Sequence, residues 1–167
     1  MANNYDAGTR IELIINDVKD NITHGMKARA YSASNELRNS SQMILRGQRH
    51  GKKYIVPGTG RMTYYKRKKT AKITYKRYTA SAPGEPPAVR TGAFRESWQP
   101  ETEIMPFSSG MVVKSAITSR IRTDNGKKLL GEILENGTSR MAPRPYKDRI
   151  VQHALPKIRR IYSRPYT

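Results

Sequence analysis

The residues of this chain that could perform chemistry are few, and their spacing matches no common catalytic or metal-binding motif. The three histidines, His24, His50 and His153, lie far apart, and none belongs to an HxxxH or HExxH sequence. The chain contains no cysteine, which excludes disulfide bonds and thiolate chemistry. We therefore predict that it has no catalytic residues, no metal site and no cofactor.

Two further groups of residues have simple structural explanations. Residues 57–60 are Pro-Gly-Thr-Gly, but no Gly-Lys-Ser or Gly-Lys-Thr sequence follows, so a turn explains them better than a phosphate-binding loop. Glu132 and Glu135 are about one helical turn apart, and in so basic a chain we expect salt bridges rather than a general acid and base. No GxSxG nucleophile motif is present. The chain is therefore not expected to be an enzyme.

The chain is strongly basic. Lys and Arg outnumber Asp and Glu by 32 to 13, which gives a formal net charge of +19. The excess is concentrated between Glu36 and Glu85, where 13 basic residues and no acidic residue occur. A charge of this size predicts a polyanionic neighbour, and nucleic acid, an anionic membrane surface and an acidic protein surface are the three candidates.

The hydropathy of the chain argues against insertion into a membrane. No apolar run approaches the length of a spanning helix, and the N-terminal sequence MANNYDAGTR lacks the apolar segment of a secretory signal. We therefore expect a protein that is made inside the cell, has no membrane partner and is not secreted.

Residues 10–46 contain no proline and predict one long helix. Its length of about 35 residues, or ~50 Å, exceeds what a small core can cover. We expect either that part of it packs on another subunit or that it breaks near Gly25, which weakens a helix interior. The apolar and small residues that recur at helical spacing are Ile11, Ile15, Val18, Ile22, Met26, Ala30, Ala33, Leu37 and Ile44.

Residues 47–79 are predicted to form a basic hairpin arm. β-Branched and aromatic residues flank the Pro-Gly-Thr-Gly turn and indicate strands at 53–56, 62–65 and 72–78. Alternation along the last of these segments is imperfect, so the sequence does not establish a strand with one apolar and one polar side.

Residues 80–98 are predicted to form a stiff crossing followed by a short helix. Three prolines hold an extended backbone that needs no hydrogen bonds of its own. Thr91 is then the expected N-cap of a helix over residues 92–98, which Phe94 and Trp98 anchor because one or two turns bury too little to hold themselves.

Residues 99–167 are predicted to form a hairpin, a short helix and a C-terminal helix. Strands at 102–106 and 111–117 flank a Ser-Ser-Gly turn, a second turn covers 123–126, and Gly137 ends the short helix. Pro145 suits the first position of the last helix, and Pro156 predicts an end or a kink near Leu155.

Together these elements predict one α+β domain over residues 1–167. The long N-terminal helix and the C-terminal helix, at about 146–161, pack on one face of a small antiparallel sheet, and the basic β-hairpin forms an arm. Each helix has one apolar face that needs cover. Val112 and Leu134 are expected in the core.

Two motifs in this order resemble a known family. They are SAPGEPPAVRTGAFRESW at 81–98 and ILENGTSRMAPRPYKDRIVQHAL at 133–155. They resemble the tail-completion or head–tail joining proteins of long-tailed bacteriophages, which are also described as minor tail or neck proteins. The resemblance extends over residues 11–161 and is strongest at 83–92 with Phe94, and at 135–145.

The resemblance implies a structural protein of the virion that is made in the host cytoplasm. Such proteins form rings in the neck, between the head connector and the tail-terminator and tail-tube rings, and genomic DNA passes through them without sequence-specific binding. Six copies are favoured, with twelve as the alternative, and no catalytic role is implied. The residues expected to position the subunit for assembly are Pro83, Pro86, Pro87, Phe94, Trp98, Pro143 and Pro145.

Two accounts of the basic run at 66–69 remain open. It is either a solvated loop or a surface facing DNA or an acidic partner through contacts that need no base recognition. A ring of six copies carries more than a hundred positive charges and self-repels unless anions intervene, which favours the second account. The residues expected on that surface are Lys66, Arg67, Lys68, Lys69, Lys76 and Arg77.

Other functions also fit the sequence. Tyrosines interleave with the basic residues at 64–78, a pattern that stacks on single-stranded bases but also builds protein interfaces. A free-standing nucleic-acid-binding protein without sequence specificity is therefore the alternative function, and a small regulatory or toxin-like basic protein is a third. Self-assembly distinguishes the first two, because a ring subunit must associate with its neighbours.

Overall fold

The computed structural model describes residues 7–66, 69–107, 110–123 and 126–165. They form an α+β arrangement with a long N-terminal helix, small antiparallel sheets and a C-terminal helix. In chain order the elements are α1 (Ala7–Arg46), β1 (Lys53–Ile55), β2 (Arg61–Tyr65), β3 (Thr70–Thr74), β4 (Arg77–Thr79), α2 (Ala93–Glu96), β5 (Gln99–Phe107), β6 (Gly110–Thr118), α3 (Leu130–Asn136) and α4 (Lys147–Tyr162).

Helix α1 is continuous over 40 residues and is ~60 Å long. It passes through Gly25 without interruption, so the predicted alternative of a break at this glycine is wrong. Only its second half is covered by the rest of the chain. Ala30, Ala33 and Ser34 are buried, whereas the apolar side chains between Ile11 and Ile22 are exposed.

The strands form three two-stranded antiparallel sheets rather than one small sheet. The β1–β4 and β2–β3 ladders are nested, since β2 and β3 lie between β1 and β4 in the chain. The strand predicted at 72–78 is divided into β3 and β4 by Tyr75 and Lys76. The predicted turn at 57–60 is present, with Gly58 at a φ of 73° that favours glycine.

The β5–β6 hairpin packs on α1 and is longer than predicted. The hydroxyls of Ser34 and Thr102 are 3.1 Å apart, and Ser115 donates a hydrogen bond to the carbonyl of Ala30. Small residues on α1 allow this close approach of helix and sheet. The serines of the predicted turn between the strands, Ser108 and Ser109, lie outside the described residues.

Helix α4 packs along α1. The ring Nδ1 of His153 is 2.9 Å from the hydroxyl of Ser40, and Lys157 donates to Glu36 at 3.0 Å. The helix continues through Pro156 to Tyr162, so a helix end near Leu155 is wrong. Pro145 is also not the first helical residue, because Tyr146 is the N-cap and the helix begins at Lys147.

The core is small and lies where α1, α2 and α4 meet. Leu45, Trp98, Tyr146 and Ile150 are its buried residues, and Leu134 packs against them as predicted. The expectation that Val112 is buried is wrong, because 47% of this residue is exposed. Val112 shares a face of β6 with Lys114, and α1 covers the opposite face.

Helices long and apolar enough to cross a membrane are absent from the described residues.

Candidate functional site

The two motifs that carry the family resemblance meet in space. The amide of Gly84 donates to the carbonyl of Pro143 at 3.2 Å, and Arg144 donates through Nη1 to the carbonyl of Ser81 at 2.9 Å. Arg149 donates to the carbonyl of Gly84 at 3.1 Å. Residues 81–98 and 133–155 therefore form one structural unit, which we call the motif junction.

Three aromatic rings form the centre of the motif junction. Phe94 and Trp98 have centroids 5.6 Å apart, Phe94 and Tyr146 are separated by the same distance, and Trp98 and Tyr146 are 5.8 Å apart. All three pairs are edge-to-face, the geometry in which a ring edge meets the negative face of its neighbour. These contacts hold the single turn of α2, as predicted for Phe94 and Trp98.

The start of α2 differs from the prediction. Gly92, not Thr91, is the N-cap, and its φ of 92° is a left-handed conformation that glycine adopts at little cost. Thr91 accepts only a long hydrogen bond, 3.4 Å, from the amide of Ala93. The helix is limited to Ala93–Glu96, which is shorter than the predicted 92–98.

Tyr146 joins the aromatic rings to α3. Its hydroxyl donates to the carbonyl of Gly131 at 3.1 Å. A Cβ added at residue 131 would lie only 2.7 Å from the hydroxyl oxygen of Tyr146. Burial, followed by the charges of Glu135 and Glu132, raises the pKa of Tyr146 well above its ordinary value. The hydroxyl therefore stays protonated and acts as a fixed donor.

Glu135 closes the N-terminus of α4 and forms no salt bridge with another described residue. Its Oε2 accepts hydrogen bonds from the amides of Tyr146 at 3.1 Å and Lys147 at 3.3 Å. A carboxylate at this position satisfies amides that lack a partner within the helix and interacts favourably with the helix dipole. The predicted salt bridge of Glu135 is therefore wrong, because backbone donors occupy the carboxylate.

Arg49 ties the end of α1 to the proline crossing, a role that the sequence does not reveal. Its guanidinium donates through Nε and Nη2 to the carbonyl of Pro87, at 3.3 and 3.1 Å, and Nη2 also donates to the carbonyl of Ile44. Burial lowers the pKa of Arg49, partly offset by the charge of Glu85. One side chain thus satisfies a helix-end carbonyl and fixes the crossing.

A second tie joins Glu85 to the segment after α1. Its carboxylate is 2.5 Å from Nδ1 of His50 and accepts from the amides of Ala82 and His50, at 2.8 and 3.1 Å. The hydrogen bond from the His50 ring, followed by those from the two amides, lowers the pKa of Glu85 to about 2. Nothing in the spacing of residues 50 and 85 predicts this contact.

The prolines of the motif junction differ in their surroundings. Pro86 and Pro87 are buried, Pro145 is half-buried, and Pro83 and Pro143 are exposed. The buried pair forms part of the interior of the junction, whereas the exposed pair is available to a neighbour. The structure therefore brings all the predicted assembly residues into one region but leaves only some of them on its surface.

An open groove of about 690 Å³ lies beside the motif junction. Its apolar wall includes Leu45, Phe94, Leu134 and Met141. Four arginines also line it, and they are Arg90, Arg95, Arg122 and Arg144. A groove of this composition suits an apolar side chain that is next to an anionic group, as at a protein interface.

The predicted basic surface is only partly assembled. Lys66 and Lys69 are exposed at the turn between β2 and β3, and Lys69 has a positive φ of 47°. Lys76 and Arg77 are exposed at the other end of this ladder, about one strand length, or ~16 Å, away. Arg67 and Lys68 lie outside the described residues.

The histidines and carboxylates of the described residues form no cluster of three or more that could hold a metal ion. His50 is bonded to Glu85 and His153 to Ser40, so two of the three histidines have separate structural partners.

The chain matches no known protein-family model, and it has no significant match among curated proteins or among solved structures. The functional argument therefore depends on the geometry and charge of the chain itself.

Proposed function

We propose that the chain is a structural ring subunit of a bacteriophage neck, where it joins the head connector to the tail tube and forms part of the DNA conduit. The observation that carries this proposal is the motif junction. The two segments with the strongest family resemblance are about 50 residues apart in the sequence, yet they are hydrogen-bonded to each other around one aromatic cluster.

The chemistry of the junction supports a structural role. Three of its titratable groups have structural partners, since Glu135 binds backbone amides, Tyr146 binds a carbonyl, and Glu85 binds His50. The result is a rigid link between α1, the crossing and α4. A subunit that must hold a fixed orientation in a ring requires such a link, and no catalytic role is part of the proposal.

We also propose that the β1–β4 and β2–β3 ladders form the basic arm of this subunit. Every residue of β2 and β3 is exposed, as expected for a segment that extends from the body of the protein. Lys66, Lys69, Lys76 and Arg77 would then face either DNA in the lumen or an acidic neighbouring ring.

The proposal is tested by deleting the coding sequence from the phage that carries it. Filled heads and free tails that do not join are expected, and a copy supplied in trans should restore joining. A labelled copy should appear in negative-stain images at the neck, with six or twelve copies per particle. Normal joined particles without the protein would contradict the proposal.

A second candidate, a free-standing nucleic-acid-binding protein, is favoured by the exposed tyrosines of the arm. Tyr64, Tyr65 and Tyr75 are exposed close to basic residues and are available for base stacking. Sedimentation and DNA-binding titrations separate the two functions. A binding protein should bind single-stranded DNA tightly as a monomer or dimer, whereas a ring subunit should self-associate and bind DNA weakly.

A further inference from the structure

The first half of α1 has an exposed apolar stripe. Successive helical residues are ~100° apart, which places its five side chains within an arc of about 100° on one side of the helix. Ile14 and Ile15 are 62% and 58% exposed, so neither is covered by the rest of the chain. The residues of this α1 stripe are Ile11, Ile14, Ile15, Val18 and Ile22.

The segment of α1 that carries the stripe has a net negative charge. Residues 11–26 contain Glu12, Asp17 and Asp20 but only one basic residue, Lys19, in a chain of net charge +19. Glu12 and Lys19 lie beyond one edge of the stripe, Asp17 lies beyond the other, and Asp20 is on the opposite side of the helix. All three carboxylates are exposed, and none forms an ion pair with another described residue.

The β2–β3 ladder has a matching apolar face. Met62 pairs with Ile73 and Tyr64 with Ala71, and residues paired directly across an antiparallel ladder point to the same side. Met62 is 68% exposed and Ile73 is 50% exposed. Residues 52–79 contain ten Lys and Arg residues and no Asp or Glu, and Lys66 and Lys69 lie at one end of the ladder while Lys76 and Arg77 lie at the other.

The β2–β3 ladder is about as long as the α1 stripe, and its apolar side chains occupy the central part of that length. The α1 stripe extends from Ile11 to Ile22, ~16 Å along the helix axis. The five residues of β2 also extend ~16 Å. Both surfaces are exposed in the single chain, so they do not cover each other within one copy.

We infer that the apolar face of β2–β3 in one copy packs on the α1 stripe of a second copy. Burial of the two apolar surfaces drives the contact, and the net positive charge of residues 52–79 attracts the net negative charge of residues 11–26. Each copy gives one hairpin and receives another, so the contact is head-to-tail and generates rings where the rotation closes. The inference deepens the proposed function and rests on it only for closure of the ring.

Cysteine cross-linking tests the contact directly, because the parent chain has no cysteine. Ile15→Cys and Met62→Cys proteins are mixed and oxidised. A disulfide-linked dimer of the two variants should form several-fold more than dimers of either variant alone. Thr63→Cys is the matched control, since Thr63 lies on the opposite face of β2 and should cross-link several-fold less with Ile15→Cys.

Preferred dimers of one variant with itself would overturn the inference, because they indicate pairing of like surfaces. Equal cross-linking of Met62→Cys and Thr63→Cys, or no cross-linking at all, would overturn it as well. The absence of cross-linking would assign the α1 stripe to a different partner.

A second variant tests the contact without cross-linking. Ile15→Asp should abolish self-association, whereas Asn16→Asp, outside the stripe, should not. Thermal unfolding of the monomer should be unchanged by either substitution, because both residues are exposed. Self-association of Ile15→Asp at the parent level would overturn the inference.

These results are separable from the test of the proposed function. A protein found at the neck whose copies do not cross-link between α1 and β2 retains the proposed function and loses this contact. A protein absent from the neck that nevertheless forms the mixed dimer retains the contact and loses the proposed function.

Discussion

At the residue scale, the carboxylates of Glu85 and Glu135 serve as acceptors for backbone amides. Glu135 accepts from the first amides of α4, and Glu85 accepts from the amides of Ala82 and His50. In both cases a side chain satisfies donors that the local backbone leaves without partners. Glu85 and Glu135 thus hold the backbone of the motif junction in place through hydrogen bonds.

The location of Glu85 gives a pH dependence of stability. Its folded-state pKa of about 2 is below its ordinary value of 4.5, so folding favours the ionised carboxylate. The stabilisation is fully present above the ordinary pKa and is lost as the pH falls through the folded-state pKa. Between pH about 5 and about 2, the parent should therefore lose more stability than Glu85→Gln does.

Denaturant unfolding at several pH values in this range measures the difference. Glu103→Gln is the control, because Glu103 forms only an exposed ion pair with Lys114 at 3.6 Å and contributes little. Parallel pH profiles for the parent and Glu85→Gln would contradict the assigned role of the His50 contact.

Two aspartate variants, one at a packed position and one at an exposed position, test the core. Leu134→Asp should lower the free energy of unfolding by several kcal/mol, since an aspartate there would lie against the buried cluster without a partner. Val112→Asp should have little effect because Val112 is on the uncovered face of β6. Chemical denaturation measures the loss of unfolding free energy in each variant. Equal losses would show that Val112 is also packed against other residues and would contradict the assigned exposed face of β6.

The sequence predicted Leu134 correctly and Val112 incorrectly for a physical reason. Apolar residues of β6 occur on both faces of the strand, and alternation alone cannot say which face a helix will cover. The contacts of Arg49, His50 and Glu85 were also not predictable. They join residues about 35 apart through a crossing whose path depends on tertiary structure.

At the element scale, the long helix was predictable because its pattern needs only local information. The division of the strand at 72–78 could not be predicted, because neither Tyr75 nor Lys76 is a residue type that breaks strands. The Tyr75 ring lies over Gly60, where an added Cβ would be 2.9 Å from ring atom Cε1. Gly60, in the loop just before β2, has no side chain and so leaves room for the ring, and no pattern within 72–78 reveals this contact.

Helix α4 provides an element-scale prediction. Pro156 lacks the amide that would continue the helical hydrogen bonds, yet the helix runs six residues beyond it. Pro156→Ala should raise the free energy of unfolding by up to ~3 kcal/mol, because it restores a donor and removes a steric clash.

Gln152→Ala, also exposed on α4, is the matched control and should change stability only slightly. Denaturant midpoints of the two variants give the comparison. If Pro156→Ala is less stable than the parent, α4 has a bend that its packing on α1 requires.

At the scale of the whole molecule, positive charge and uncovered apolar surface occur together. The body of the protein buries only a small core, while half of α1 and the whole of β2–β3 remain exposed. A monomer with this much exposed apolar surface is poorly suited to independent existence in water. An assembly that covers these surfaces and supplies anions to the basic residues of 52–79 would resolve both problems.

The basic run at 66–69 is the place to test which anion is supplied. Replacing all four residues with glutamine should leave the unfolding temperature unchanged, because Lys66 and Lys69 are exposed and exposed charges contribute little to stability. The matched control removes four exposed charges elsewhere in the chain, by Lys128→Gln, Arg159→Gln, Arg160→Gln and Arg164→Gln. The yield of joined heads and tails should fall for the first variant and not for the control.

The salt dependence of duplex DNA binding then distinguishes DNA from an acidic partner. If all four residues contact phosphates, the slope of log affinity against log salt should become shallower by up to about 3.6, at ~0.9 per contact. If an acidic ring is the partner, the slope should not change although joining still fails. If these charges neutralise DNA or an acidic ring, removing them should reduce joining. Normal joining by the glutamine variant would therefore mean that the run is a solvated loop.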